Sequence, residues 1–165
     1  MSLKQNIAII LLSFLISSAQ ALEFELLDLS GNTHTQKNYP NKYLIVNFWA
    51  TWCPPCLKEI PLFVKFQKEH TNKVQFLGIN AQDITVKNLK KFIKEHNINY
   101  PIFPYNSQNA IQFKKIVGLP TTYIYSPQGK LIKTFVGEVR ELDLINIIKH
   151  KKSPSFLKRI KNFFG

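Results

Sequence analysis

The chain has two cysteines, Cys53 and Cys56, and two prolines stand between them. Before them, residues 43–48 are β-branched and aromatic, which is typical of a buried strand. After them, residues 57–70 carry apolar side chains at nearly helical spacing. The cysteines therefore lie where a strand gives way to a helix. The free amides and positive dipole at the start of a helix favour a thiolate over a thiol, so this position predicts a redox-active dithiol.

A structural bridge and a metal site are the alternative interpretations of the pair. A bridge would close a loop of about four residues and stabilise the fold by only about 2 kcal/mol. Zinc would need about two more ligands, and no second Cys-x-x-Cys or His-x-x-x-His pattern accompanies the pair. We therefore favour redox chemistry and expect no metal and no cofactor.

Residues 1–21 have the pattern of a secretory signal peptide. Lys4 supplies a positive start, residues 7–16 form an apolar run too short to span a bilayer, and residues 19–21 are a small-x-small cleavage signal. We expect export to the periplasm, as a soluble or peripherally membrane-associated protein whose mature chain begins at Leu22. An uncleaved membrane anchor is the alternative.

The chain is basic, with 22 Lys and Arg against 10 Asp and Glu and a formal net charge of +12. Such a charge suits acidic partners or anionic surfaces. Nucleic acid is not expected as a partner, because no basic recognition helix or RNA-binding strand pattern appears. The tail, residues 153–165, predicts a basic amphipathic helix. Contact with an anionic membrane surface and docking on its own domain are the two alternatives for this tail.

Residues 22–152 predict one α/β domain. The predicted elements are an N-terminal hairpin (23–29 and 33–36), buried strands (43–48 and 74–80), helices (57–70, 84–96, 108–117 and 141–152), an edge segment (100–104) and a second hairpin (121–125 and 130–136). Two βα units followed by a hairpin and a helix describe a mixed sheet with helices on both faces.

Two segments carry a family resemblance. Residues 46–56, Val-Asn-Phe-Trp-Ala-Thr-Trp-Cys-Pro-Pro-Cys, resemble the active-site segment of the thioredoxin fold, and Pro61 matches the kink in its helix. Residues 118–123, Gly-Leu-Pro-Thr-Thr-Tyr, resemble the loop that bears its cis-proline. The resemblance implies a thioredoxin-like mixed sheet flanked by helices and a cis peptide bond before Pro120.

Within that fold the chain is most similar to the exported TlpA/ResA type of thiol–disulfide oxidoreductase. The N-terminal hairpin, Asn47, Glu59 and the inserted helix 84–96 point to this group. Some of its members are thiol reductases of cytochrome c maturation. The resemblance therefore implies a protein that reduces disulfides outside the cytoplasm.

The resemblance also implies roles for individual residues. Cys53 would be the attacking thiolate, and Cys56 would resolve the mixed disulfide by attacking Cys53. Glu59, three residues after Cys56 on the same helical face, could carry the proton of Cys56. The alternative for Glu59 is a solvent-exposed acid favoured by the helix dipole, and we expect a partly exposed site.

Three further residues are expected to form the substrate surface. A cis bond at Pro120 would present the backbone of Leu119 to an extended substrate. Trp52 is expected to be exposed beside it, whereas Trp49 is expected in the core. The predicted partners are protein disulfides, with apocytochrome c as one candidate, and an upstream thiol protein that donates electrons.

Two other functions fit the same sequence features. A general disulfide oxidase or isomerase would use the same scaffold, because the direction of electron flow depends on a reduction potential that the sequence does not provide. A copper-handling protein would use Cys53 and Cys56 as soft ligands for Cu(I).

Overall fold

The structure, a computed structural model, describes residues 22–105, 113 and 116–149. Its elements in chain order are β1 (Glu25–Leu27), β2 (Thr33–Thr35), a short 3-10 helix (Gln36–Asn38), β3 (Tyr43–Trp49), α1 (Pro54–Glu69), β4 (Val74–Asn80), α2 (Val86–Glu95), β5 (Ile102–Pro104), β6 (Thr121–Tyr125), β7 (Leu131–Val136) and α3 (Glu141–Lys149). The predicted signal peptide, the predicted tail and most of the predicted helix 108–117 lie outside the described residues.

Five strands form one mixed sheet in the order β5-β4-β3-β6-β7. The pairs β3–β4 and β4–β5 are parallel, whereas β3–β6 and β6–β7 are antiparallel. Strands β1 and β2 form a separate antiparallel hairpin. The predicted α/β class, mixed sheet and N-terminal hairpin are therefore confirmed.

All seven residues of the central strand β3 are buried, and alternate side chains enter two cores. One face of the sheet packs against α1, α2 and α3, with Ile45, Phe63, Phe76, Leu89, Ile124 and Leu144 among its buried residues. The other face is covered by Phe24 and Leu26 of the hairpin segment together with Phe113. Burial on both faces explains why β3 reads as a continuous apolar run rather than an alternating one.

Two helices begin at other residues than predicted, because proline and a capping threonine determine where they start. Helix α1 begins at Pro54, three residues earlier than predicted, because proline fits the first helical position. Helix α2 begins at Val86, because the Thr85 hydroxyl accepts the Asn88 amide at 3.3 Å and caps it. Pro61 lies inside α1, as the sequence indicates.

The N-terminal segment is fastened to the sheet by the turn between β6 and β7. The Leu22 amide donates to the Gly129 carbonyl at 3.1 Å. Gly129 has a φ of +76°, and a Cβ there would lie 2.7 Å from the Leu22 nitrogen. Glycine is thus required both for the turn and for the close approach of the chain.

A carboxylate organises the N-terminal hairpin itself. Asp28 accepts the amides of Ser30 (2.8 Å) and Asn32 (2.9 Å), the Asn32 side chain (3.1 Å) and His34 Nε2 (3.1 Å). The other ring nitrogen of His34 is hydrogen-bonded to the hydroxyl of buried Tyr39. We call these five residues the hairpin cluster: Asp28, Ser30, Asn32, His34 and Tyr39.

Candidate active site

Cys53 and Cys56 are joined by a disulfide at the start of α1. Cys53 is the N-cap residue, with extended backbone angles, and its carbonyl accepts the Leu57 amide at 3.1 Å. Pro54 and Pro55 have no amide hydrogen, so the Cys56 amide is the first free helical N–H that a thiolate on Cys53 could use. The geometry thus supplies the helix N-terminus that thiolate stabilisation requires.

Both sulfurs belong to buried residues. Cys53 is 3% exposed and Cys56 is fully buried, so the first cysteine is slightly more accessible to a substrate. Trp52, immediately before Cys53, is 67% exposed, whereas Trp49 is buried. The predicted exposure of Trp52 and the predicted burial of Trp49 are confirmed.

The proline loop lies at the same end of the sheet as the disulfide. The Leu119–Pro120 peptide bond is cis, as the resemblance implies. Thr121 pairs with Phe48 in the antiparallel register of β3 and β6, which places Pro120 where β3 ends and the cysteine segment begins. The loop is held by the Gly137 amide, which donates to the Pro120 carbonyl at 2.8 Å, and by the Thr121 hydroxyl, which donates to Gly118 at 2.6 Å.

Glu59 is buried at 1% exposure, so the expectation of a partly exposed or solvent-exposed acid was wrong. Helical spacing explains the difference, because Cys56, Glu59, Ile60 and Phe63 share the face of α1 that packs on the sheet. The carboxylate is paired at both oxygens. Oε1 accepts the Asn47 side-chain amide at 2.7 Å, and Oε2 accepts the Val139 backbone amide at 3.1 Å.

Asn47 and Val139 connect Glu59 to three parts of the molecule. Asn47 lies on β3, and its second N–H donates to the Thr122 hydroxyl on β6 at 2.9 Å. Val139 lies in the connection between β7 and α3, two residues after the glycine that holds Pro120. We call Glu59, Asn47, Thr122 and Val139 the Glu59 cluster. It links the cysteine helix to the proline loop through the body of the fold.

Burial raises the pKa of Glu59 from 4.5 to about 7, against the opposing effect of the hydrogen bonds from Val139 and Asn47. The charge of Glu138 adds to the rise. A carboxyl group with this pKa exists in both protonation states near neutral pH. It can therefore accept or release a proton there, which an ordinary surface glutamate does not do.

The sequence pattern missed several residues of this site. Val139 contributes only a backbone amide, which leaves no sequence signal. Thr122 is one of two buried threonines at the start of β6, and its position opposite Asn47 could have been noticed only once β3 and β6 were paired. Tyr100 is also buried in this core, and burial together with the charge of Glu59 raises its pKa.

Within the described residues, no group of three or more His, Cys, Asp or Glu side chains is placed to hold a metal ion. The same residues contain no helix of the length and apolarity needed to cross a membrane.

This combination of fold and dithiol is that of the thioredoxin-like thiol–disulfide oxidoreductases. Comparison with known proteins agrees and supplies the family. The chain belongs to the AhpC/TSA family, whose model matches residues 18–134. It is 30% identical over 133 residues to the thiol-disulfide oxidoreductase ResA of Bacillus thuringiensis subsp. konkukian, a match that covers 79% of this chain and 75% of the relative.

Solved structures give the same answer. A thiol:disulfide interchange protein of the thioredoxin family from Chlorobium tepidum TLS superimposes with a TM-score of 0.68 at 29% identity, over 79% of this chain and 93% of that one. A DsbF homologue from Corynebacterium diphtheriae shares the fold with a TM-score of 0.71 at 24% identity, over 82% and 90% of the two chains. The protein is therefore an enzyme of thiol–disulfide exchange, and in its structure Cys53 and Cys56 form a disulfide.

Proposed function

We propose that the protein works as an exported reductant of protein disulfides. The observation that carries this proposal is the disulfide at the start of α1 with the buried Glu59 one helical turn beyond Cys56. A dithiol at a helix terminus supplies the nucleophile, and a neighbouring carboxyl with a pKa of about 7 supplies a proton acceptor for the second cysteine.

The reaction begins with the reduced protein. The Cys53 thiolate attacks one sulfur of the substrate disulfide, which breaks, and the displaced substrate thiolate takes up a proton. Cys56 gives its proton to Glu59 and attacks the Cys53 sulfur of the mixed disulfide. The second substrate thiolate leaves and takes up a proton in its turn. The substrate gains two electrons from the dithiol and two protons from solvent. These protons equal the one that Cys53 lost to solvent when its thiolate formed and the one that Glu59 took from Cys56 and then releases. The protein is left with the Cys53–Cys56 disulfide.

A substrate surface surrounds this chemistry in the proposal. Trp52, Val117 and Val136 are large apolar side chains that are 67%, 69% and 63% exposed. Val117 precedes the proline loop, and Val136 pairs with Thr121 just after it. Exposed apolar groups on adjoining segments suit an extended protein chain lying along Leu119 and Pro120.

Trapping experiments test the roles of the two cysteines. The Cys56→Ser variant should accumulate a mixed disulfide with a substrate protein, because Cys53 can attack but nothing resolves the product. The Cys53→Ser variant should neither reduce nor trap. Trapping by Cys53→Ser alone would reverse the roles. Equilibration of the wild-type pair with a glutathione series measures its potential, and a potential above that of glutathione would favour an oxidase or isomerase instead.

Export and substrate identity are the finer parts of the proposal. The pattern of residues 1–21 supports export, and N-terminal mass spectrometry of the mature protein should find Leu22 first. A chain retained in the membrane at full length would favour an anchor. The electron donor would be a second thiol protein, and cysteine pairs of apocytochrome c are the substrate to test first, as recombinant peptides with the protein in its reduced form.

A further inference from the structure

The backbone that leads into Cys53 is fastened to a segment 31 residues further along the chain. The Ala81 amide donates to the Trp49 carbonyl at 2.7 Å, where β3 ends. Gln82, the next residue, uses its side chain. Its Oε1 accepts the Thr51 amide at 3.0 Å, and the Thr51 hydroxyl lies 3.2 Å from Oε1 and 3.0 Å from Nε2.

The orientation of the Gln82 side chain is determined by these contacts. The Thr51 amide is a donor only, so the carbonyl end of the Gln82 amide must face it. The amide nitrogen of Gln82 then donates to the Thr51 hydroxyl. Gln82 therefore forms hydrogen bonds with both the backbone amide and the side-chain hydroxyl of Thr51. Because Gln82 is neutral, it brings no charge near the cysteines.

Thr51 is two residues from the reactive sulfur, within a tight turn. The Cys53 amide donates to the Ala50 carbonyl at 3.2 Å, and Cys53 then enters α1 as its N-cap. Between the Gln82 contact and the helix, Trp52 is largely exposed and adds little packing. The hold on Thr51 is thus one restraint on the position of Cys53, beside the hydrogen bonds that Cys53 itself makes with Ala50 and Leu57.

We propose that Gln82 is a positioning residue for thiol–disulfide exchange, which holds the Thr51 amide and hydroxyl and thereby places Cys53 for attack. Exchange needs the attacking sulfur in line with the substrate disulfide, and small displacements of a reacting atom reduce rates strongly. The thiolate also needs its helix amides at hydrogen-bond distance. The proposal rests on Cys53 being the attacking residue.

Two substitutions at Gln82 separate the effect of its hydrogen bonds from the effects of side-chain volume and of an added charge. Gln82→Met keeps the length of the side chain and removes both polar atoms. Gln82→Glu keeps an acceptor for Thr51 but adds a negative charge. Gln128→Met, on the exposed turn after β6, is the matched control. The measurement is the rate of iodoacetamide alkylation of Cys53 in the reduced protein from pH 5 to 10, together with disulfide reduction and thermal melts.

We expect Gln82→Met to lower the plateau rate of disulfide reduction at high pH about tenfold and to move the alkylation midpoint to higher pH. Gln82→Glu should keep a plateau close to wild type, because Thr51 is still held, while its midpoint also rises because of the added charge. A Gln82→Met profile that superimposes on Gln128→Met would overturn the proposal. Equal loss of the plateau in both Gln82 variants would overturn it too.

The same data distinguish this proposal from the function on which it rests. If Cys53 is not the attacking residue, wild-type alkylation will occur elsewhere, which mass spectrometry of the labelled peptide detects. If Cys53 reacts normally and the Gln82 variants match the control, only the positioning role is wrong. Should Gln82→Met melt below the assay temperature, the plateau of Gln82→Glu decides, since a lowered plateau there contradicts the proposal.

Discussion

The Glu59 cluster and the hairpin cluster are both built around a carboxylate, yet they move its pKa in opposite directions. Burial raises the pKa of Glu59 to about 7, and two donors only partly offset this effect. Desolvation is also the largest single influence on Asp28, but the hydrogen bonds from Asn32, Ser30 and His34 together outweigh it and hold the pKa well below 3.8.

The difference lies in how many donors meet each carboxylate and how much water it keeps. Asp28 is within hydrogen-bond distance of four donors and lies at a partly exposed turn, so its charge is stabilised. Glu59 has two donors and almost no solvent, so its charge costs free energy. A carboxylate whose hydrogen bonds outweigh its desolvation stays charged and organises structure. One whose burial outweighs its two hydrogen bonds can change its protonation state near neutral pH.

The largest expected effect concerns stability at the Glu59 cluster. A pKa that rises from 4.5 to about 7 on folding favours the folded state below pH 4.5, and this contribution is lost as the pH rises through 7. The rise corresponds to about 3 kcal/mol. Because Gln cannot ionise, the Glu59→Gln variant should become more stable relative to wild type by up to that amount between pH 5 and pH 8.

Urea unfolding of both proteins at intervals from pH 4 to 9 measures this difference. The lost acceptor at residue 59 shifts the whole Gln curve by about 1 kcal/mol, but it does not change the shape. Parallel stability curves for the two proteins would show that Glu59 titrates as an ordinary surface acid.

A second effect, of about tenfold, is expected in the rate of disulfide reduction. If Glu59 takes the proton of Cys56, the Glu59→Gln variant should resolve mixed disulfides about ten times more slowly above pH 7, where wild-type Glu59 is ionised. Rates from pH 5 to 9 provide the measurement. Asp28→Asn is the control and should leave the rate profile unchanged, so a matching loss in that variant would contradict the distinction between the clusters.

The smallest expected effect is the stability of the hairpin cluster. Asp28→Asn replaces one acceptor oxygen with a donor and should cost about 1 kcal/mol at pH 7. A carboxyl whose pKa is lowered on folding stabilises the protein above its unfolded pKa, and this contribution is lost as the pH falls through the folded value. The difference between wild type and variant should therefore shrink below about pH 4, which thermal melts from pH 2 to 7 would reveal. A difference that persists unchanged in acid would contradict the lowered pKa.

Local sequence was enough to predict the parts of this site that depend on neighbours along the chain. The cysteine spacing, the proline at the start of α1 and the buried strand before it are local patterns, and the structure places them together as predicted. The cis bond before Pro120 was predicted from the family resemblance, because the residues of the loop do not by themselves indicate a cis bond.

The rest depends on contacts between distant segments. Gln82 meets Thr51 only because β3 and β4 are parallel and end together, and Val139 meets Glu59 only because the β7–α3 connection packs in the same core as α1. Neither contact has a pattern along the chain. The burial of Glu59 could have been predicted, because Glu59 lies on the same helical face as Cys56. We expected exposure because charged residues are ordinarily found at the surface.

The fastening of Leu22 to Gly129 also matters for anyone who produces this protein in the laboratory. A recombinant chain with residues ahead of Leu22 keeps the Leu22 amide that donates to the Gly129 carbonyl. In a chain that starts at Leu22 the donor is the terminal ammonium group, and a chain that starts at Glu25 has no donor there. The shorter chain would also lack Phe24, whose ring lies 6.1 Å from that of Phe113 and covers one face of the sheet. The choice of first residue therefore determines how completely the core around Phe24, Leu26 and Phe113 is covered. A purification tag is better placed ahead of Leu22, with a cleavable spacer, than directly on the hairpin.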